Sequence, residues 1–102
     1  MERIARWTRL KAGSEESYKE WHRKVWPELL ALNSQAGIRN YSIYLRGRDL
    51  FSYLEVDDWE AAMQFLGRQE VAQKWQELMA PFMDAADAIS PWQRIEEVFH
   101  QD

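Results

Sequence analysis

The sequence predicts an α+β fold in which four strands and two helical regions follow the order β-α-β-β-α-β. Four segments have the alternation or composition of strands, and apolar residues with helical spacing occupy the two regions that remain. The chain has 102 residues, which suits a single domain over residues 1–102. This order is the ferredoxin-like plan, a four-stranded antiparallel sheet with helices on one face. The other face is then left for solvent or for a partner.

The first half of the chain predicts a strand followed by an interrupted helix. Residues 2–11 alternate charged with apolar or small side chains, which is typical of a strand. Ser14 is a suitable N-cap for a helix that continues to about Ala36, and Gly37 after it favours termination. Pro27 has no N–H to donate inside that helix, so we expect a kink or a break near Trp26. A break would place Pro27 in the first turn of a new helix.

The second half of the chain predicts a β-hairpin, two helices and a final strand. The expected elements are a strand at 38–46, a loop at 47–49, a strand at 50–56, helices at 59–67 and 69–79, a loop at 80–91 and a strand at 92–99. The short loop favours a hairpin between the two middle strands. Asp57 or Asp58 is expected to cap the helix that begins at Trp59.

Composition and charge indicate which classes of partner to expect and in which cellular compartment the protein works. The net charge is −4, acidic and basic residues are mixed, and there is no Lys/Arg-rich block, so we expect no nucleic-acid partner. No apolar run approaches the roughly 20 residues that cross a bilayer, and the charged first residues do not resemble a signal peptide. The chain has no cysteine. We therefore expect a cytoplasmic protein with no membrane partner.

The aromatic content predicts a homodimer. Aromatic residues make up 14% of the chain, and six of them are Trp. Large aromatic side chains that a small core does not hold tend to line pockets or interfaces. Together with the uncovered face of the sheet, this excess predicts that two copies pack sheet to sheet.

The main chemical signal is the four-residue spacing of Tyr18, His22 and Trp26. On a helix this spacing places side chains on neighbouring turns of one face. The imidazole transfers protons near neutral pH, and the phenol and indole would add a hydroxyl and a flat apolar wall. Such a cluster suits a small polyol. The alternative is a packed histidine that hydrogen-bonds locally, beside a core tyrosine.

Two further aromatic residues are candidates for contacts with a sugar. Tyr41 shares a strand face with Ile43 and Leu45, which favours the face that the helices cover. Trp75 lies on the apolar stripe of the last helix, where core packing is the simpler role. A sugar contact would require one open face of its ring. No metal-ligand spacing or Gly-rich phosphate loop is present, so we expect catalysis without a metal or cofactor.

Four segments of the chain carry a resemblance to the L-rhamnose mutarotase family. They are Tyr18-x3-His22-x3-Trp26-Pro27-Glu28-Leu29, Asn40-Tyr41-Ser42-Ile43-Tyr44-Leu45, Gln73-Lys74-Trp75 followed by Met79, and Glu96-Glu97-Val98-Phe99. The first two segments are specific, and the last two are weak signals alone. The resemblance spans nearly the whole chain without large gaps.

The resemblance implies a dimeric α+β barrel that interconverts the α and β anomers of L-rhamnose, and hence an isomerase that needs no cofactor. In the family, the histidine that matches His22 is taken as the proton donor. The residues that match Tyr18, Tyr41 and Trp75 are taken as sugar contacts. We expect Tyr18 to assist the proton transfer and Trp26 to complete the sugar site.

One position departs from the family pattern. The better-known members have a second tryptophan where this chain has Gln76. An amide in place of an indole changes which sugar hydroxyls are contacted, so Gln76 is a candidate substrate-binding residue. Another 6-deoxy sugar such as L-fucose is therefore an alternative substrate.

Three other functions compete with a mutarotase. A non-catalytic sugar-binding module would share the pocket but would not depend on His22. A cofactor-free oxygenase on the same type of barrel would have a mainly apolar pocket. A structural homodimer would use the aromatic excess only as interface.

Overall fold

The computed structural model describes residues 1–84 and 92–102. The strands are β1 (Glu2–Arg9), β2 (Ile38–Arg46), β3 (Asp49–Val56) and β4 (Gln93–Ile95). The helices are α1 (Glu15–Arg23), α2 (Pro27–Gln35), α3 (Trp59–Gly67) and α4 (Glu70–Met79), followed by a 3-10 turn at Ala80–Phe82. The predicted α+β class is confirmed, and both helical regions are split into two helices.

The four strands form one antiparallel sheet in the order β2-β3-β1-β4. Even-numbered residues of β1 and β3 point toward the helices, and most of them are buried because strand side chains alternate between faces. They pack into two clusters. The first cluster contains Ile4, Ile38, Leu54, Val56 and Ala62. The second contains Leu10, Tyr18, Leu50, Met79 and Met83.

The sequence prediction was wrong about the last part of the chain in two places. The predicted strand 92–99 is limited to Gln93–Ile95, which pairs with the middle of β1. Within the predicted loop 80–91, residues 80–82 form the 3-10 turn, and Met83 makes an isolated bridge to Leu10. The remainder of that predicted loop, residues 85–91, lies outside the described residues.

Pro27 breaks the first helical region rather than bending it. Helix α1 ends at Arg23, and α2 begins with Pro27 in its first turn, where the missing N–H has no intrahelical partner to lose. Trp26 occupies the N-cap of α2, and its carbonyl accepts hydrogen bonds from the backbone N–H groups of Leu29 and Leu30 at 3.0 and 3.1 Å. Trp26 is therefore not on the same helix as His22.

A β-bulge in β2 sets the direction of Tyr41. The pairing with β3 shifts between Arg39 and Ser42, and Asn40 adopts a left-handed φ of 50°. The Asn40 side chain donates a 2.7 Å hydrogen bond to Glu55 on the uncovered face of the sheet. The extra residue leaves Tyr41 on the helix-covered face together with Ile43 and Leu45. This is the face that the alternation in the sequence predicts.

The face of the sheet opposite the helices is rich in exposed apolar side chains. Tyr44 is 62% exposed and Phe51 and Ile95 are each 41% exposed. A cavity of about 400 Å³ lies on this face, between side chains that include Arg3, Tyr53 and Glu97. None of the helices in residues 1–84 and 92–102 has the length and apolar character needed to span a bilayer.

Gly37 joins α2 to β2 in a conformation that disfavours a side chain. Its φ is +86°, and a Cβ there would lie 3.0 Å from Oδ2 of Asp57. We expect Gly37→Ala to lower the free energy of unfolding by about 1–2 kcal/mol, the cost of a left-handed residue that carries a Cβ. Urea denaturation followed by circular dichroism measures this change.

Gly67→Ala is the matched control for this substitution. Gly67 lies at the end of α3 with no positive φ and no atom within 4 Å of a new Cβ. It should be neutral or stabilising by up to about 1 kcal/mol, because alanine favours a helix over glycine. Equal stabilities for the two variants would contradict the conformation assigned to Gly37.

Candidate active site

His22 is held by a hydrogen bond to the backbone one turn earlier on α1. Its Nδ1–H donates to the carbonyl oxygen of Tyr18 at 2.8 Å. A carbonyl only accepts, so Nδ1 carries the proton and Nε2 of the neutral ring is left as an acceptor. Burial lowers the pKa of His22, and the hydrogen bond to the Tyr18 carbonyl opposes this effect in part. The ring is thus fixed in one tautomer with one nitrogen free for chemistry.

Tyr18 packs directly against this imidazole. The two rings are stacked with centroids 4.1 Å apart, and Tyr18 is only 5% exposed. Burial raises the pKa of Tyr18 well above its usual range; nearby Tyr41 raises it further, whereas the positive charge of Arg6 lowers it. Tyr18 is therefore a protonated phenol at neutral pH. It offers a hydroxyl for hydrogen bonding and is not a base that would hold a charge.

Trp75 on α4 is the centre of an aromatic cluster beside His22. Its ring meets His22 edge to face at 5.4 Å and Trp26 at 5.1 Å. Trp21, which the sequence analysis did not single out, reaches the same ring at 6.2 Å. The break predicted near Trp26 is confirmed, and it takes Trp26 off the helix that carries Tyr18 and His22. The structure nevertheless brings Trp26 to the cluster through Trp75.

Arg6 is a charged residue on the helix-covered face of the sheet that the sequence analysis missed. Its Nη2 donates a hydrogen bond to the Tyr41 hydroxyl at 3.2 Å. Its guanidinium lies between two indole rings, with Cζ 5.1 Å from the ring centre of Trp59 and 4.9 Å from that of Trp92. The available signal was the alternation of β1, which places position 6 between the buried positions 4 and 8.

The other predicted contact residue is Gln76. It follows Trp75 on α4 and is exposed, and in the described part of the chain its side chain makes no hydrogen bond. The cavity of about 400 Å³ is separate from the aromatic cluster, because it lies on the opposite face of the sheet. The structure therefore groups Tyr18, His22, Trp26 and Trp75, and connects Tyr41 to them through its proximity to Tyr18.

A half-buried histidine whose Nε2 has no hydrogen-bond partner in residues 1–84 and 92–102, a neutral phenol and several indoles lie together on the helical layer. Such a group can form an aromatic-lined acid–base site. The sequence model of the L-rhamnose mutarotase family matches residues 3–101. This chain therefore belongs to the L-rhamnose mutarotase family.

Individual relatives agree with this assignment over most of their length. An L-rhamnose mutarotase of Bacteroides thetaiotaomicron is 38% identical, and the match covers 91% of each chain. One from Listeria monocytogenes is 39% identical over 89% of this chain and 88% of its own. The crystal structure of an L-rhamnose mutarotase from Formosa agariphila is similar over 100% of both chains, with a TM-score of 0.85 and 32% identity.

The environment of His22 predicts its titration. Because burial lowers its pKa in the folded protein, we expect the Cε1–H resonance of His22 to titrate below the ordinary value of 6.5. The unfolded chain binds this proton more readily between the two pKa values, so the contribution of His22 to stability is complete above about pH 6.5 and is lost as the pH falls through the lower, folded pKa. A proton–carbon NMR titration of the folded protein measures the pKa of His22. A midpoint above 6.5 would contradict the burial of this imidazole.

Proposed function

We propose that this protein interconverts the α and β anomers of L-rhamnose, as an isomerase that uses His22 as its proton-transfer group. Membership of the L-rhamnose mutarotase family supports the reaction and the substrate. The observation that carries the chemistry is the Nδ1–H bond from His22 to the Tyr18 carbonyl. It leaves Nε2 as the nitrogen that can exchange a proton with a sugar.

Ring opening begins with the protonated form of His22. Nε2–H gives its proton to the ring oxygen, the bond from that oxygen to C1 breaks, and the anomeric hydroxyl loses its proton as C1 becomes an aldehyde. Rotation about the C1–C2 bond then exposes the other face of the aldehyde. In closure, neutral Nε2 takes the proton from the attacking hydroxyl, so one nitrogen acts in both directions. The lowered pKa of His22 makes its protonated form a stronger acid than an exposed histidine.

In this mechanism, Tyr18 assists transfer of the second proton, that of the anomeric hydroxyl. Because its phenol stays protonated, it accepts the proton of the anomeric hydroxyl only as it passes its own proton to a solvent water. On closure, the same relay runs in reverse and returns a proton to the aldehyde oxygen. Tyr18 therefore orients or relays and does not store charge. Its stacking on His22 holds the two groups at a fixed separation of 4.1 Å between ring centres.

The aromatic side chains around His22 are proposed to hold the sugar. Trp75 and Trp26 supply apolar surfaces for the C–H faces of the pyranose, and Tyr41 supplies a hydroxyl. Gln76 contributes at the exposed edge of the site, where its amide can donate and accept hydrogen bonds. Because an amide replaces an indole there, L-fucose is the second candidate substrate.

We infer further that two copies of this chain, each a single domain over residues 1–102, pair through the uncovered face of the sheet to form a dimeric α+β barrel. The exposed apolar side chains Tyr44, Phe51 and Ile95 lie on that face, and Phe99 beyond β4 is 78% exposed. An apolar surface of this kind is characteristic of a protein interface.

Replacement of His22 tests the proposed chemistry. His22→Gln keeps a polar side chain of similar length but cannot exchange protons near neutral pH. We expect anomer exchange of L-rhamnose to fall by about 10²–10⁴-fold, the typical contribution of a positioned acid or base. Two-dimensional exchange NMR on the anomeric protons measures the rate.

The matched control is His100→Gln, which makes the same chemical change on the opposite side of the sheet. His100 borders the cavity on the uncovered face, away from Trp75. This variant should exchange the anomers at the wild-type rate. Retention of full activity in a folded His22→Gln variant would remove His22 from the mechanism.

A charge on the uncovered face tests the homodimer. Phe51→Glu places a carboxylate among apolar groups on β3, and we expect it to convert the dimer to a monomer in sedimentation-velocity experiments, because a buried unpaired charge is costly. Leu30→Glu is the control, since Leu30 is 53% exposed on α2, on the helical side. Leu30→Glu should remain dimeric. A wild-type monomer at all concentrations would overturn the proposed pairing.

A further inference from the structure

The helix-covered face of the sheet has a polar gap between its two apolar clusters. Along β3, Leu50 belongs to one cluster and Leu54 to the other, and Ser52 lies between them on the same face. Arg6 is the direct neighbour of Ser52 on β1. A guanidinium and a hydroxyl thus occupy the centre of a face that is otherwise mostly apolar.

Two polar atoms in this gap are buried and have no hydrogen-bond partner among the residues that the structure describes. Ser52 is 3% exposed, yet its Oγ has no hydrogen-bond partner in residues 1–84 and 92–102. The Nε atom of Arg6 is also buried and has no partner in the same residues. Buried polar groups in native proteins are nearly always hydrogen-bonded, so each exception needs an explanation. A polar ligand would provide the missing partners.

Neighbouring aromatic residues fix the position of the Arg6 guanidinium on this face. Its Cζ lies over the indole rings of Trp59 and Trp92, 5.1 and 4.9 Å from their centres, and these contacts stabilise its charge. One edge of the guanidinium donates to the Tyr41 hydroxyl through Nη2. Its charge also lowers the pKa of Tyr18, which places the guanidinium near the phenol that stacks on His22.

We propose that Arg6 and Ser52 form the floor of the sugar site and hydrogen-bond ring hydroxyls of the substrate, with Arg6 as a specificity-determining residue. The proposal rests on the proposed mutarotase function and adds two residues to its site. Nε of Arg6 donates to a sugar oxygen, and the Ser52 hydroxyl either donates or accepts. Both groups bind the sugar and neither transfers a proton, which remains the role of His22.

The first test separates binding from chemistry. Arg6→Met retains much of the side-chain volume but loses all five donors. We expect its KM for L-rhamnose to rise roughly 10- to 100-fold, as for loss of a hydrogen bond from a charged group, with kcat within threefold of wild type. Exchange NMR at increasing sugar concentration gives both constants. An unchanged KM would overturn the role of Arg6.

Ser52→Ala distinguishes a ligand contact from a structural one. Removal of a buried hydroxyl that has no protein partner should leave the melting temperature unchanged or raise it, while KM rises roughly 2- to 10-fold. Ser42→Ala is the matched control, because Ser42 is exposed and pairs with Tyr53 on the uncovered face. A Ser52→Ala variant that is less stable but has a wild-type KM would overturn the proposal.

A direct binding measurement tests the contact between Arg6 and the sugar independently of the mutarotase reaction. On addition of L-rhamnose to ¹⁵N-labelled wild-type protein, the Arg6 Nε–H resonance should shift and saturate. Anomer exchange without this shift would overturn the role of Arg6 and leave the reaction intact. The shift without anomer exchange would support the sugar floor and count against the mutarotase function. Absence of both would overturn both proposals.

Discussion

The proposed chemistry depends on one hydrogen bond, from Nδ1–H of His22 to the carbonyl of Tyr18. It fixes the tautomer, so a single nitrogen remains for proton exchange, and it holds the imidazole against the phenol on the same helix. The bond needs α1 to be regular from Tyr18 to His22, and this condition is met because the disruptive proline comes only after α1 has ended. Burial of the imidazole, against which Trp75 and Tyr18 pack, lowers its pKa.

We propose that the two faces of the sheet have different roles, sugar binding on the helix-covered face and pairing of two copies on the other. The helix-covered face carries the aromatic cluster and a polar gap around Arg6 and Ser52, where a sugar would find both apolar walls and hydrogen-bond partners. The other face exposes apolar groups such as Tyr44 and Phe51, which suit a second sheet. The bulge at Asn40 keeps the two sets apart, because it places Tyr41 with the site while Tyr44 stays on the outer face.

Strand alternation, helix capping and glycine turns were sufficient to predict several elements of the fold from the sequence. Strand 38–46 has its predicted bounds, Asp58 caps α3 by accepting from the N–H of Ala61, and Gly37 supplies a positive φ after α2. Tertiary contacts decide the remainder. Of the predicted strand 92–99, only Gln93–Ile95 form β4, because only these residues pair with β1. Arg6 contacts Trp59 and Trp92, which are distant in sequence, and is linked to the site by its hydrogen bond to Tyr41. Spacing and family resemblance predict Tyr18, His22 and Trp75 as site residues. The alternation of β1 places Arg6 on the same face as Ile4 and Thr8, but it does not predict which distant rings the arginine contacts.

Saturation transfer between the anomeric protons of L-rhamnose, with L-fucose and D-glucose measured in parallel on the wild-type protein, tests the central claim most directly. We expect transfer between the α and β signals of L-rhamnose at a rate well above the spontaneous reaction, with much less for D-glucose. Stronger transfer for L-fucose would keep the acid–base mechanism and assign a different preferred substrate. Spontaneous rates for all three sugars, from a folded protein, would contradict the account.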